Sequence, residues 1–299
     1  MAYSTLEDGF NYFEDASGYI SYASNWFRTF AFFDPVVDEK NKSSFLKEFT
    51  QRFDPVFIQI SEDTAKILLA QGYAINSMGI ETRIDISNFC VKGKPKAIVR
   101  KAINRAVRNQ IEIEEIDDNF NYEDLKNVSK KWINTRTKKQ PVKFITRSAK
   151  LQNEIYVRKF IVKKYNEIIG FTFYDPIFHD GEIIGYTPSV SRFVPDAFKG
   201  INYFTNFRCM EQFQSEGIKF IDLGLSPLYC INDDKFEYRK VINIIFNFLY
   251  KYGNFIYSFK GLAEHKRQYR AQEIQKYIAI KSGCSIPVLF NGFNLMKLI

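Results

Sequence analysis

The stretch from Ser189 to Leu228 constrains this chain more than any other. It reads SVSRFVPDAFKGINYF, then an amphipathic segment, then EGIKFIDLGLSPL. The pattern predicts a strand, a tight turn carrying Asp196, Lys199 and Gly200, a helix of about four turns and a second strand ending in Asp222, Leu223 and Gly224, together one βαβ-like unit. Such a unit presents a ligand at the helix N-terminus. Unpaired N–H groups and the helix dipole favour an anionic group there, and Gly200 lets the chain approach closely.

At 299 residues with 45% apolar side chains, the chain can bury the core of two ordinary domains or one large one. Mean hydropathy is -0.26, and no apolar run approaches the ~18 residues of a membrane span. The best candidate, from Val241 to Phe259, is interrupted by Asn243, Asn247, Lys251, Gly253 and Asn254 and reads as a core helix followed by a turn. The opening MAYSTLEDGFNYFED has neither the basic nor the apolar region of a secretory leader, so the expected compartment is the cytoplasm. Cys90, Cys209, Cys230 and Cys284 form no CxxC pair, and His179 and His265 are the only histidines. No metal set, disulfide framework or cofactor is expected. A net charge of +8 and a pI near 9.1 predict attraction to polyanions such as RNA, anionic lipid headgroups or an acidic carrier protein.

GYISYAS and TFAFFDPVV predict a hairpin turning at Asn25 and Trp26, followed by a helix over SSFLKEFTQRF and a buried strand PVFIQIS. SEDTAKILLAQG is a capped helix starting at Ser61 or Asp63 and stopped by Gly72; YAINSMGIETRIDI is strand again. The segment Lys94 to Gln110 predicts a helix with Ile98, Val99 and Ala102 on one face. Its other face carries Lys94, Lys96, Arg100, Lys101, Arg105 and Arg108 with no acidic residue between them, so polyanion contact competes evenly with an ordinary solvated surface. Seven carboxylates follow in EIEEIDDNFNYED, a shift that suggests a boundary near Asp118 between lobes 1–118 and 119–299.

The second half runs helix NYEDLKNVSKKWINTRT, strands around Ile155 to Val162 and Glu167 to Tyr174, a hairpin turn at His179-Asp180-Gly181, then EIIGYTPSVSRF. A helix from Phe236 to Tyr250 and a charged helix holding His265 and Lys266 come later, and SIPVLFNGFNLMKLI predicts a docked tail, with an interfacial anchor as the alternative. Both halves show strands, helix, strands and helix in comparable order. The expected fold class is α/β (α+β), two related lobes each with a mixed central sheet flanked by helices.

Three separated words resemble the C-terminal domain of the phosphatidylglycerol lysyltransferases, a branch of the GNAT-like aminoacyltransferases. They are Arg192 with Pro195, Asp196, Ala197 and Gly200; Leu223-Gly224-Leu225-Ser226-Pro227-Leu228; and the segment from Tyr257 to Tyr269. The basic helix near Arg100 is a weaker match. The resemblance implies a tandem GNAT-like acyltransferase fold and transfer of an aminoacyl group from aminoacyl-tRNA to a lipid hydroxyl, with Arg192 and Lys266 at the site. One departure stands out: where the family carries an aspartate three residues before the arginine, this chain has Ser189.

Acyl transfer needs a proton acceptor and positive or N–H groups where the oxyanion develops. Arg192 and Lys266 suit the oxyanion or an anionic headgroup. Asp222 is a candidate proton acceptor; Asp196 is more simply a helix cap, and His265 is expected at the surface. Ser189, Asp196, Lys199, Gly200, Ser226 and Lys260 complete the expected substrate-binding set. The chain lacks an RxxGxG/A pyrophosphate loop, which favours aminoacyl-tRNA or acyl carrier protein over CoA as donor. The acceptor is an anionic phospholipid or a small amine or alcohol, with peripheral contact at the inner membrane face. An N-acyltransferase using acyl carrier protein or acyl-CoA, and a non-catalytic RNA- or membrane-binding module, are the alternatives.

Overall fold

The computed structural model describes residues 3–117, 119–135, 143–144, 147–232, 235–236, 238–281 and 286–297. Its strands and helices run β1 (Asn11–Asp15), β2 (Gly18–Ser24), β3 (Thr29–Val37), α1 (Glu39–Phe53), β4 (Val56–Ile60), α2 (Glu62–Ala70), β5 (Ala74–Asp85), α3 (Ala97–Arg108), β6 (Ile111–Glu115) and α4 (Glu123–Asn134). They continue β7 (Arg158–Lys164), β8 (Glu167–His179), β9 (Glu182–Phe193), α5 (Ile201–Ser215), β10 (Phe220–Pro227), α6 (Lys240–Tyr252), α7 (Phe259–Arg267), β11 (Gln272–Ile280) and α8 (Ile286–Leu295). All eleven strands join one mixed sheet in the order β1-β2-β3-β4-β11-β5-β10-β9-β8-β7-β6. Only β3 with β4 and β9 with β10 pair in parallel, each across a helix. The βαβ unit read from Ser189 to Leu228 is therefore present.

Local chemistry accounts for the element ends. Ser61 caps α2, its Oγ accepting from the Thr64 N–H at 3.4 Å, while Asp34 accepts from both the Ser61 N–H and hydroxyl at 2.9 Å. Asp180 and Gly181 both take positive φ between β8 and β9, the geometry a two-residue hairpin turn requires. Gly200 is the N-cap of α5 at φ +98°, with no side-chain cap. Asp196 is exposed and does not cap that helix, which corrects the simpler expectation for it.

Apolar clusters rich in aromatic residues fill the space around the sheet. Phe13, Phe45, Phe49 and Leu68 pack under α1 and α2; Phe30, Phe32, Ile242, Phe246 and Phe259 pack under α6 and α7; Val99, Ala102, Met210 and Phe213 pack beneath α3 and α5. Val99, Ala102 and Ala106 form the buried face of α3, but Ile98 is exposed, one position off the apolar stripe. Lys94–Lys96 forms a short 3-10 turn ahead of α3. The apolar tail is docked: Val288, Leu289 and Met296 share the cluster of Phe30, and a Cβ on Gly292 would stand 3.0 Å from the Phe30 ring.

Three strands, β1, β6 and β11, were not anticipated. β11 inserts between β4 and β5, antiparallel to both, and Tyr277 to Ile280 are buried. A buried chain of hydrogen bonds anchors the turn before it. Tyr174 Oη donates to Asn206 Oδ1 at 2.8 Å, and Asn206 Nδ2 donates to Tyr269 Oη at 3.0 Å.

Candidate active site around Lys266

β10 is bulged between Asp222 and Leu225, where its register against β5 shifts. Gly224 sits in the bulge at φ +74°, a conformation that favours glycine. The consequence is local: the carbonyls of Gly224 and Leu225 both receive a hydrogen bond from Lys266 Nζ at 2.8 Å. Lys266 comes from the last turn of α7 and is 5% exposed. Burial lowers its pKa to about 7, with Asp222 and Glu81 pulling the other way.

Asp222 holds the bulge. Its Oδ1 accepts from the Gly224 N–H at 2.8 Å, and its Oδ2 accepts from Arg83 Nη2 at 3.0 Å. Burial raises the Asp222 pKa, helped by the nearby charge of Glu81. Glu81 in turn pairs with Lys276 of β11 at 3.1 Å.

Lys266 lines two clefts. One, of about 210 Å³, also takes in Gln59, Arg147, Asp175, Ser189, Gly224 and Tyr257. Through Pro227 and Tyr257 it adjoins an apolar cavity of about 50 Å³ among Phe30, Met78, Phe246, Leu289 and Met296. The other cleft, of about 360 Å³, is bordered by Arg267, Arg270 and Glu273, and shares Arg270 with a wider one of about 520 Å³ whose rim holds Arg83, Lys96 and Lys219. Lys266 thus lies where a cleft adjoining the apolar cavity meets a cleft adjoining the basic rim.

The expected site residues separate into groups. Ser189 and Lys266 line the same cleft, and Asp222 lies directly behind them in the bulge. Arg192 is three residues from Ser189 on β9 and stands 5.0 Å over the Trp132 ring, outside that cleft. No carboxylate pairs with it among the described residues, and burial lowers its pKa. Ser226 is buried at 1% exposure, Lys199 is exposed in the turn beside Asp196, and Lys260 donates to the Lys251 carbonyl oxygen at 2.9 Å. His265 is half-buried rather than fully exposed: it stacks on Tyr203 with centroids 4.3 Å apart, and burial lowers its pKa to about 4.

Within the basic set, Lys96 donates to the Cys90 carbonyl oxygen at 2.8 Å and Arg100 to those of Val91 and Gly93 at 2.6 Å, so these two hold the preceding loop. Lys94, Lys101, Arg105 and Arg108 are exposed. Among the described residues no group of His, Cys, Asp and Glu could hold a metal ion.

Several participants were missed from sequence. Asp175, 3% exposed, pairs through Oδ2 with Arg147 Nε at 2.8 Å; Arg147 Nη2 donates to Glu154 at 2.7 Å, and Glu154 pairs with Lys159 at 3.0 Å. The signal was a charged residue inside an apolar strand, Asp175 in FTFYDPIF, and the alternating Glu81 and Arg83 in GIETRIDI. An inward-facing charge in such a strand must be partnered.

The sequence model described as phosphatidylglycerol lysyltransferase, C-terminal, matches residues 1–280. A phosphatidylglycerol lysyltransferase of Bacillus subtilis (strain 168) is 26% identical over 255 residues, covering 82% of this chain and 28% of the relative. One from Staphylococcus aureus (strain MRSA252) is 21% identical over 285 residues, covering 91% and 33%. The chain therefore spans a third or less of the length of these two relatives. Among solved structures, L-PGS from Bacillus licheniformis superposes with a TM-score of 0.81 at 21% identity, covering 97% of this chain and 89% of that one, which establishes a shared fold. With most of its length matched, the chain belongs to the phosphatidylglycerol lysyltransferase C-terminal family.

Proposed function

We propose that this chain is the catalytic domain of an aminoacyl-tRNA-dependent transferase that moves an aminoacyl group, lysyl by analogy with its relatives, onto a hydroxyl of phosphatidylglycerol. The observation that carries the proposal is the position of Lys266 between an apolar and a basic approach. The apolar lining of the first suits a lipid's acyl region; the basic rim of the second suits a tRNA backbone, and the exposed Lys94, Lys101, Arg105 and Arg108 extend that basic surface.

A neutral amine has two N–H donors and one lone pair. The Gly224 and Leu225 carbonyls occupy both donors of Lys266, so its lone pair is left to receive a proton. In the proposed step the lipid hydroxyl loses its proton to Lys266 as its oxygen attacks the aminoacyl ester carbon. The ester bond to tRNA then breaks, and the tRNA hydroxyl leaves with a proton. Asp222 positions the bulge, and Arg192 holds an anionic group on the Trp132 side.

We further propose two GNAT-like lobes that exchange their last strands. In support, β3, α1, β4, α2, β5 and β9, α5, β10, α6, α7, β11 repeat one order, each with its parallel pair. The boundary at Asp118 falls outside the described residues. Peripheral contact with the inner membrane face is supported by Val241, Ile244, Phe248 and Tyr252, exposed along one stripe of α6 beside the apolar cavity. Among the described residues no helix is long and apolar enough to cross a membrane.

The test supplies lysyl-tRNA, and separately an acyl carrier protein, with phosphatidylglycerol vesicles. Lysine should appear in the lipid fraction only with the tRNA donor; a donor that stays fully charged in the presence of lipid would sink the proposal.

A further inference from the structure

At the tip of the β2–β3 hairpin, Trp26 is 99% exposed and its neighbour Phe27 is 77% exposed. Side chains of this size gain most from leaving water, so an adjacent pair held out in it marks a surface with something to cover it. The tip is built rather than loose. The Asn25 N–H donates to the Arg28 carbonyl oxygen at 3.1 Å, and Asn25 Oδ1 accepts from the Phe27 and Arg28 N–H groups, each at 3.1 Å. The Ser24 and Thr29 hydroxyls meet at 2.9 Å across its base, and Asn25 Nδ2 donates to Asn291 Oδ1 of α8 at 2.7 Å. The turn is thereby fixed to α8 with both rings outward.

The elements around the tip are apolar and free of negative charge. Ile286 and Phe290 are exposed one turn apart on α8, and α8, α6 and Phe30 of β3 all line the apolar cavity. The tip, α8 and the exposed stripe of α6 are therefore joined through the walls of one cavity. This chain has 34 acidic residues, yet none falls in 16–33, 238–263 or 274–299, the segments that hold these three features. The same segments expose Lys240, Lys251, Lys260 and Lys281. Asp54, which reaches the tip from the end of α1, is paired with Arg28 at 2.6 Å.

We propose that the Trp26–Phe27 tip is a bilayer anchor, inserted at the boundary between headgroups and acyl chains of an anionic membrane, with α8 as its base. The inference rests on the membrane-contact part of the proposed function and names the segment that enters the lipid. Rings that seek apolar surroundings, set among lysines without carboxylates, match an interface that is apolar beneath and negatively charged above. A second copy of the chain fits less well, because a two-fold contact through this face would bring lysines against lysines.

Trp26 reports on its own surroundings once Trp132→Phe has removed the other tryptophan. With phosphatidylglycerol vesicles its emission should shift to the blue and be quenched by lipids brominated along their acyl chains. Partitioning into phosphatidylcholine vesicles should be about tenfold weaker or more, since the lysines lose their counter-charge. A second measurement keeps Trp132 in place. Trp26→Ser combined with Phe27→Ser should weaken sedimentation of the full chain with phosphatidylglycerol vesicles at least about tenfold, as two large side chains no longer enter lipid. Thermal unfolding should stay unchanged, because neither ring packs in the core. Leucine at both positions should retain most of the binding.

Sedimentation that persists in the double serine variant, or with Trp26 emission unshifted, assigns the contact to α6 and overturns the inference while membrane contact stands. Equal partitioning into both kinds of vesicle overturns the anionic assignment. A blue shift that grows with protein concentration in the absence of lipid makes the tip a self-association surface and overturns the inference as well. A chain that never sediments with phosphatidylglycerol vesicles overturns membrane contact and the anchor together, whatever the transfer assay gives.

Discussion

In the proposed transfer, Lys266 is the residue on which most of the chemistry turns. Lys266→Met should leave the fold in place and lower transfer at least ~100-fold, the low end for a lost general base, as measured by lipid-linked lysine formed per minute. In the unmodified chain the rate should rise with pH through about 7, where the buried amine loses its proton. Stability should follow the same group. Its ordinary pKa is 10.5, so between about 7 and 10.5 the unfolded chain holds a proton that the folded chain does not, and stability rises with pH across that window. Lys266→Met should flatten that slope in urea titrations at several pH values. Lys266 could be singled out from sequence because it sits in a short contiguous word, Tyr257 to Tyr269. Asp175 and Arg147 could not: they are 28 residues apart, and only the pairing of β8 with β9 and the packing of the loop before β7 bring them to Ser189.

At the scale of elements, the proposed function rests on the bulge in β10 and on the basic and apolar helices. Gly224→Ala meets no steric wall, since the added Cβ would lie 3.9 Å from Lys266 Nζ, but it forces an unfavourable φ of +74°. It should cost about 1 kcal/mol of stability and lower turnover more than that loss explains, because the carbonyls holding Lys266 move. Reversing the charges of Lys94, Lys101, Arg105 and Arg108 should weaken tRNA binding and reduce its salt slope; an unaltered slope assigns α3 to plain surface. Phe248→Asp on the exposed stripe of α6 should reduce sedimentation with phosphatidylglycerol vesicles while leaving tRNA binding intact. Most elements were readable because periodicity and capping act over a few residues, as Ser61 and the His179 hairpin show. β11 escaped because QEIQKYIAI mixes polar and apolar residues, and its partner strands β4 and β5 lie about 190 or more residues earlier in the chain.

For the whole molecule, the sheet is continuous only because β11 closes the gap between β4 and β5. A chain ending after Arg270 should lose cooperative unfolding and precipitate, as judged by thermal melts and solubility, because two strand edges in the middle of the core are bared. The same insertion bears on biosynthesis. A ribosome delivers β1 to β5 long before residues 272–280 emerge, so the first half of the sheet waits with its centre unzipped while the second half is made. Pulse proteolysis of stalled nascent chains should find that half sensitive until β11 has cleared the exit tunnel. Co-translational folding of this protein is then not vectorial, and chaperones that shield open strand edges have their longest task in its first hundred residues.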